Sequence, residues 1–285
     1  MNRMSTTPPG MAIDFGKPLG EASLLAPDSL QWRIFKNPVA MAVGGVAAVL
    51  LEFADARIRS GVWDHSIYKT DPIGRSQRTG MAAMVGVYGP ASAARRVIGG
   101  VNRMHAKVSG ETPKGEAYKA FDPELLNWVY ATAQYGFLTA YHRFVHPLSA
   151  AEQARYWADG QPVAELYGVT HTPKSEAEFL AMMDALLPRF EPHPINDEFL
   201  DIIRSGRAAP SVPRFLHKAL ARAAVSLLPP VVRERLELGP EHDLRTRDRI
   251  MVKAMGRLAD RRKDPASPAW QAGLRLGLPG DTAWR

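Results

Sequence analysis

The chain has 285 residues, enough to bury a sizeable core, and 46% of them are hydrophobic against 23% charged, a globular rather than a disordered composition. It contains no cysteine, which excludes disulfides, catalytic thiols, iron–sulfur clusters, thiolate-ligated haem and covalent c-type haem attachment. Any bound metal must take its ligands from His, Asp, Glu, Tyr, Lys or Met, and the net charge of +7 points to anionic partners such as phosphates, haem propionates or an acidic membrane surface.

Residues 1–22 are rich in Pro, Gly, Ser and Thr and are expected to form a flexible segment. The opening MNRMSTTPPGMAIDFG has no continuous apolar stretch, so neither a signal peptide nor an anchor is expected and a cytoplasmic location is the default. From Leu24 onward helical spacing prevails and strand-like alternation is scarce. The most apolar run, Val39 to Phe53, falls short of the ~20 residues that cross a bilayer, and Glu52, Asp55 and Arg57 mark its end. It reads as a buried core helix within a longer helix over Val39–Ser60.

Further helices are predicted near Arg75–Val87, Ala91–Val108, Pro123–Val145, Ala150–Tyr167, Lys174–Leu187, Asn196–Ser205, Pro213–Leu228 and His242–Arg262. Asp122 followed by Pro123 is a helix opening, Ser149 and Ser175 can cap the helices after them, and Gly89-Pro90, Gly110, Pro147, Gly168 and Pro188 separate neighbours. No repeat of fixed period is present. One all-α domain over residues 23–263 is expected, with residues 264–285 as a C-terminal tail over its surface. Near that end RERLE, LRTRDR and DRRKD interleave bases with acids; they read as a solvated helical face, so no nucleic-acid partner is expected, and no amphipathic anchor stands out.

The chain carries no G-x-G-x-x-G after a strand, no Walker loop, no H-E-x-x-H and no G-x-S-x-G. His142 and His146 lie four apart, a spacing that would suit zinc on one helical face, but Pro147 ends that helix at once, and cations in a last turn are favoured by the dipole alone. His105 differs. With Ala94, Ile98, Val101 and Val108 it forms an inward stripe, while Arg96, Arg103 and Lys107 collect on the other side. On the preceding helix Arg75, Arg78 and Thr79 share a face that continues through Ala82 and Val85. An inward arginine needs an anion, and Asp64, Asp71, Glu52 or a bound anionic group would serve.

The ordered set GVWDHSIYKTDPIGRSQRT, VYG, RMHAKVSGETPKGEAY, DPELLNWVYAT and PLSAAE, spread between about Ser29 and Pro230, resembles the MpaB and latex-clearing-protein type of oxygenase, long catalogued as a domain of unknown function. The resemblance implies a globin-like helical core that holds haem b without covalent attachment, and the use of O2 on a hydrophobic substrate, isoprenoid or otherwise unsaturated. It implies His105 as the proximal iron ligand, matching an H-A-x-V segment, and Arg75, Arg78 and Thr79 as the distal Arg-x-x-Lys-Thr segment. Arg78 replaces the lysine of that pattern, and a guanidinium is a poor metal ligand, so an open or water-occupied distal position is expected. Tyr130 and Asp55-Ala56 replace histidine-containing segments of many members, while His65 is retained and is the second choice of ligand. Met81, Met84, Val85, Trp128 and Tyr130 would form an apolar wall around the cofactor and substrate. Basic exterior and apolar pocket together would permit transient membrane contact. The competing expectation is a non-catalytic helical protein whose pocket carries a lipid or terpenoid.

Overall fold

The computed structural model describes residues 13–67, 70–207 and 212–285. The first twelve residues of the expected flexible segment, and Tyr68 and Lys69 of the longest motif, lie outside the described residues. The chain folds as α1 (Leu30–Phe35), α2 (Pro38–Phe53), α3 (Ala56–His65), α4 (Pro72–Tyr88), α5 (Ala91–His105), a hairpin of β1 (Ser109–Glu111) and β2 (Ala117–Lys119), and α6 (Pro123–Phe144). There follow α7 (Ala150–Asp159), α8 (Gln161–Leu166), α9 (Glu176–Leu186), α10 (Pro194–Ser205), α11 (Arg214–Val225), α12 (Pro230–Arg235), α13 (Thr246–Arg261) and α14 (Pro268–Arg275). The architecture is all-α; the short hairpin is the one sheet among the described residues.

Helix α2 is the axis of the fold. Asn37 opens it by accepting the Val39 and Ala40 N–H groups, with Pro38 in its first turn. Val43, Ala47, Leu50 and Leu51 are wholly enclosed. It crosses α6 at two glycines: a Cβ on Gly44 would stand 2.6 Å from the Gly136 carbonyl oxygen, so backbone meets backbone there. Beyond the crossing, Trp128 and Tyr135 of α6 stack on Phe179 of α9, with centroids 5.5 and 4.2 Å apart.

Two helices expected to be continuous are broken, each for a visible reason. After α2, the buried Asp55 caps α3 by accepting the Arg57 N–H, pairs with the Arg57 guanidinium at 2.7 Å and bridges to Phe190. Between α7 and α8, Gly160 sits where a Cβ would lie 2.0 Å from the Gln134 amide nitrogen, and Pro162 restarts the helix.

Asp71 accepts the Gly74 N–H to open α4, and Gly89-Pro90 turns the chain sharply into α5. The first half of α4 therefore runs beside the second half of α5. Burial is concentrated at the turn: Val85 to Tyr88, Ala93, Ala94 and Ile98 are enclosed, whereas Arg75 to Met84 and Val101 to His105 are half-buried or exposed. The hairpin covers this loose end from the α3 side, where the Tyr118 ring lies 3.5 Å from where a Gly61 Cβ would be. Its turn and pairing, Gly110 opposite Tyr118, were not expected from the sequence.

Residues 13–22 and 264–285 are not loose appendages. Phe15, Ala269, Ala272 and Ala283 belong to the main core. Arg275, 1% exposed, draws the two ends together by donating to the Phe15, Glu21 and Tyr88 carbonyls and to Ser23 Oγ.

Candidate active site

At the open end of the α4–α5 pair, Arg75 of α4 meets Glu52 from α2 and Ser66 from the end of α3. Glu52 enters from the last turn of α2, where an otherwise apolar sequence places a carboxylate among core residues. Burial pushes its carboxyl up to about 7, against the pull of the Arg75 charge and a hydrogen bond from Thr132 Oγ1 of α6 at 3.4 Å. Arg75 comes from the second turn of α4. Its Nε donates to Ser66 Oγ at 3.2 Å and its Nη1 donates to Thr79 Oγ1, which in turn donates to the Arg75 carbonyl at 3.0 Å. Arg75 forms no ion pair among the described residues, although it is close enough to shift both Glu52 and His105.

His105 ends α5. The inward stripe is as the spacing predicts, with Ala94 and Ile98 buried, Val101 and His105 half-buried, and Arg96, Arg103 and Lys107 exposed; Val108 lies just past the helix end. Burial first, and the Arg75 charge second, lower the His105 pKa, which keeps the imidazole neutral. Neither ring nitrogen has a hydrogen-bond partner among the described residues, and Nδ1 is shielded from solvent. One turn earlier Asn102 donates to the Leu166 carbonyl at 2.8 Å while its own Oδ1 is buried without a donor. Glu52, Arg75 and His105 are each half-buried, and the Arg75 charge acts on both of the others, so the three form one cluster.

The structure thus brings Arg75 and His105 together, leaves Thr79 exposed beside Arg75 rather than inward, and adds Glu52, which the sequence suggested only as an ion-pair partner. The available signal was a carboxylate closing the run VAMAVGGVAAVLLEF. Arg78 leans away, 3.6 Å from Asp71 and partly exposed. Met81 and Met84 are half-buried along α4.

Trp128 is not part of this cluster: its ring is fully enclosed, packed on Phe179 and Phe190, with Nε1 donating to the Leu51 carbonyl at 3.3 Å. The apolar wall expected of it belongs to the core because the α2–α6 crossing turns that face of α6 inward. Tyr130 is half-buried, and its hydroxyl donates to the Gly160 carbonyl at 2.6 Å and accepts from Gln134, holding the α7–α8 joint. His65 is exposed in the last turn of α3. His142 Nδ1 accepts the Leu148 N–H at 3.0 Å, and His146 lies beyond the helix end, so that pair shares no face. Among the described residues no three His, Cys, Asp or Glu side chains gather as a metal cluster, and no helix is long and apolar enough to cross a membrane.

Comparison with curated proteins and with solved structures finds no match. A family model, described as ER-bound oxygenase mpaB/B'/Rubber oxygenase, catalytic domain, matches residues 32–261, from α1 to the end of α13, and so spans Glu52, Arg75, Thr79 and His105. The chain belongs to this family of oxygenase catalytic domains.

Proposed function

We propose that the protein is a haem b-dependent oxygenase acting with O2 on a hydrophobic, unsaturated small molecule, with His105 as the protein's ligand to iron. The observation that carries this reading is the neutral imidazole of His105, inward on α5 and without a hydrogen-bond partner at either nitrogen among the described residues. A bare divalent ion needs three or four protein ligands, which are not gathered among the described residues, whereas a porphyrin brings four nitrogens of its own and asks for one imidazole. The donor set therefore fits haem. When bound, haem supplies the dioxygen-binding and electron-transfer chemistry that no side chain provides.

The chain's own residues supply binding, polarity and proton control. Arg75 keeps its charge, and its bonds to Ser66 and Thr79 fix the guanidinium, so it favours whatever negative charge rests or develops beside it, on a carboxylate or on a reacting oxygen. Thr79 is held by Arg75 and presents a hydroxyl oxygen beside it. Glu52, titrating near 7, is poised to take up or return a proton at its carboxylate. Met81 and Met84 offer a soft apolar surface to a hydrocarbon chain. Arg78, tied loosely to Asp71, stands nearer solvent.

Expression with a haem precursor, followed by the visible spectrum, tests the proposal. The expected result is a pigmented protein with a Soret band that is lost in His105→Ala while the fold survives by circular dichroism. Pigment retained in that variant transfers the ligand role to His65. A colourless, well-folded protein that co-purifies with an acyl or terpenoid molecule and consumes no oxygen overturns the reading in favour of a lipid carrier.

A further inference from the structure

The chain's positive charge is concentrated on one surface helix. Eight of its 36 lysines and arginines fall between residues 245 and 263, against two carboxylates, Asp248 and Asp260. Both carboxylates are turned inward. Asp248 is 6% exposed and pairs with Arg222 of α11 at 3.1 Å; Asp260 pairs with the buried Lys36 and accepts from Asn37 and Tyr141. What the sequence shows as an alternation of signs is, in space, a cationic surface.

The orientation of α13 follows from its packing. Val252 is fully buried, and Gly256 brings the helix so close to α6 that a Cβ would lie 2.7 Å from the Phe144 carbonyl oxygen. On the opposite side Ile250, Ala254 and Leu258, spaced by four, form an exposed apolar line, with Ile250 65% and Leu258 72% accessible. Arg257 and Arg261 run along it, and with Arg249 they have no carboxylate partner among the described residues.

We propose that this outer face of α13 docks the protein on an anionic bilayer surface, the apolar line entering the headgroup boundary and the arginines meeting lipid phosphates and carboxylates. The inference is independent of the haem reading. Its ground is the combination of unpaired cations with protruding aliphatic side chains, which matches a charged interface with an apolar layer beneath it. A nucleic-acid backbone would satisfy the arginines and leave Ile250 and Leu258 in water, and a second copy of the same face would oppose like charges. Arginine also suits the depth, since its stem packs on apolar groups while the guanidinium reaches outward.

Co-sedimentation of the full chain with vesicles tests this, using phosphatidylcholine alone and phosphatidylcholine mixed with phosphatidylserine, at low and high salt. The expected result is binding to the mixed vesicles only, weakened by salt. Arg257→Gln with Arg261→Gln should lower partitioning by roughly 25-fold, at about fivefold per cation removed. Ile250→Ser with Leu258→Ser should also weaken it, with the salt dependence preserved. Both double variants replace exposed residues, and circular dichroism checks that they fold. Equal pelleting with neutral vesicles, no pelleting with either, or binding indifferent to the Ile250 and Leu258 changes and displaced by a short DNA duplex would each overturn the proposal, the last by reducing the face to a general polyanion binder.

Discussion

Arg75 faces Glu52 across the open end of the α4–α5 pair, close enough to oppose the rise of its pKa, yet the two form no direct ion pair. The carboxylate is left titrating at about 7 inside the protein, and this has consequences for stability. Its ordinary value is 4.5, so between pH 4.5 and about 7 the folded state holds a proton that the unfolded state has released. Stability from this group is therefore lost as pH rises through that window, up to about 3 kcal/mol in all. In Glu52→Gln the loss should vanish: the variant is expected to match the parent near pH 4.5 and exceed it in melting temperature at pH 8. Calorimetry across that range checks the sign. If Glu52 also handles protons in turnover, the pH–rate profile of the variant should lack the inflection near 7.

His105 feels the same arginine with the opposite result for metal binding. Arg75 lowers its pKa in addition to burial, so the imidazole is neutral to a lower pH than a free histidine. Arg75→Met should raise the His105 pKa and raise that of Glu52 as well, since the arginine lowers both. The ring resonances of His105 in a pH titration by nuclear magnetic resonance report this without any cofactor. With haem supplied, the variant should release pigment at a higher pH than the parent on acidification, because a protonated imidazole is no ligand. An unmoved His105 titration would detach Arg75 from the site.

The long helices were legible in the sequence because their apolar faces and capping residues agree: Asp122-Pro123 begins α6, and the inward stripe on α5 holds to His105. The break at Asp55 was not, since Asp55 stops the helix through partners far along the chain, Glu124 by way of Arg57 and Phe190 by a backbone bridge. Trp128 was misplaced for a related reason. It was expected in an apolar wall around the cofactor, and the sequence does not say which neighbour meets its ring; Phe179 does. The cationic surface of α13 was hidden because along the chain Asp248 and Asp260 interrupt its bases, and the stretch reads as a solvated mixed face. Only burial shows that both are spent on interior partners.

The crossing of α2 and α6 makes a sharp contrast between glycines. A methyl group on Gly44 would press on the Gly136 carbonyl, so Gly44→Ala must part the two central helices. The expected cost is about 1–3 kcal/mol, and the melting temperature should fall by several degrees. Gly80, midway along α4, has nothing within 4 Å of its would-be Cβ. There alanine gains helix propensity without a clash, and Gly80→Ala should stabilise by about 0.5–1 kcal/mol at most, leaving the melting temperature unchanged or slightly raised. Reversal of this order would mean that the helix crossing is looser than its geometry.

Arg275 holds both ends of the described chain to α4. Its guanidinium serves three carbonyls, those of Phe15, Glu21 and Tyr88, and the Ser23 hydroxyl, and a neutral side chain of similar length cannot reach all of them. In Arg275→Met the apolar stem is kept while buried acceptors lose their donor, at a cost of about 3 kcal/mol. A fall in melting temperature of roughly 6–12 °C is expected. The effect should also be local. Tyr88 closes α4, so the clamp ties residues 13–23 and α14 to the helix that carries Arg75 and Thr79 at its far end. Limited proteolysis should therefore cut first between Phe15 and Ser23 in the variant, where the parent resists. Because burial on α4 is concentrated near Tyr88, the open end should keep its geometry, and the His105 titration should be unchanged. Loss of the His105 shift together with the clamp would show that the two ends of α4 are mechanically one unit.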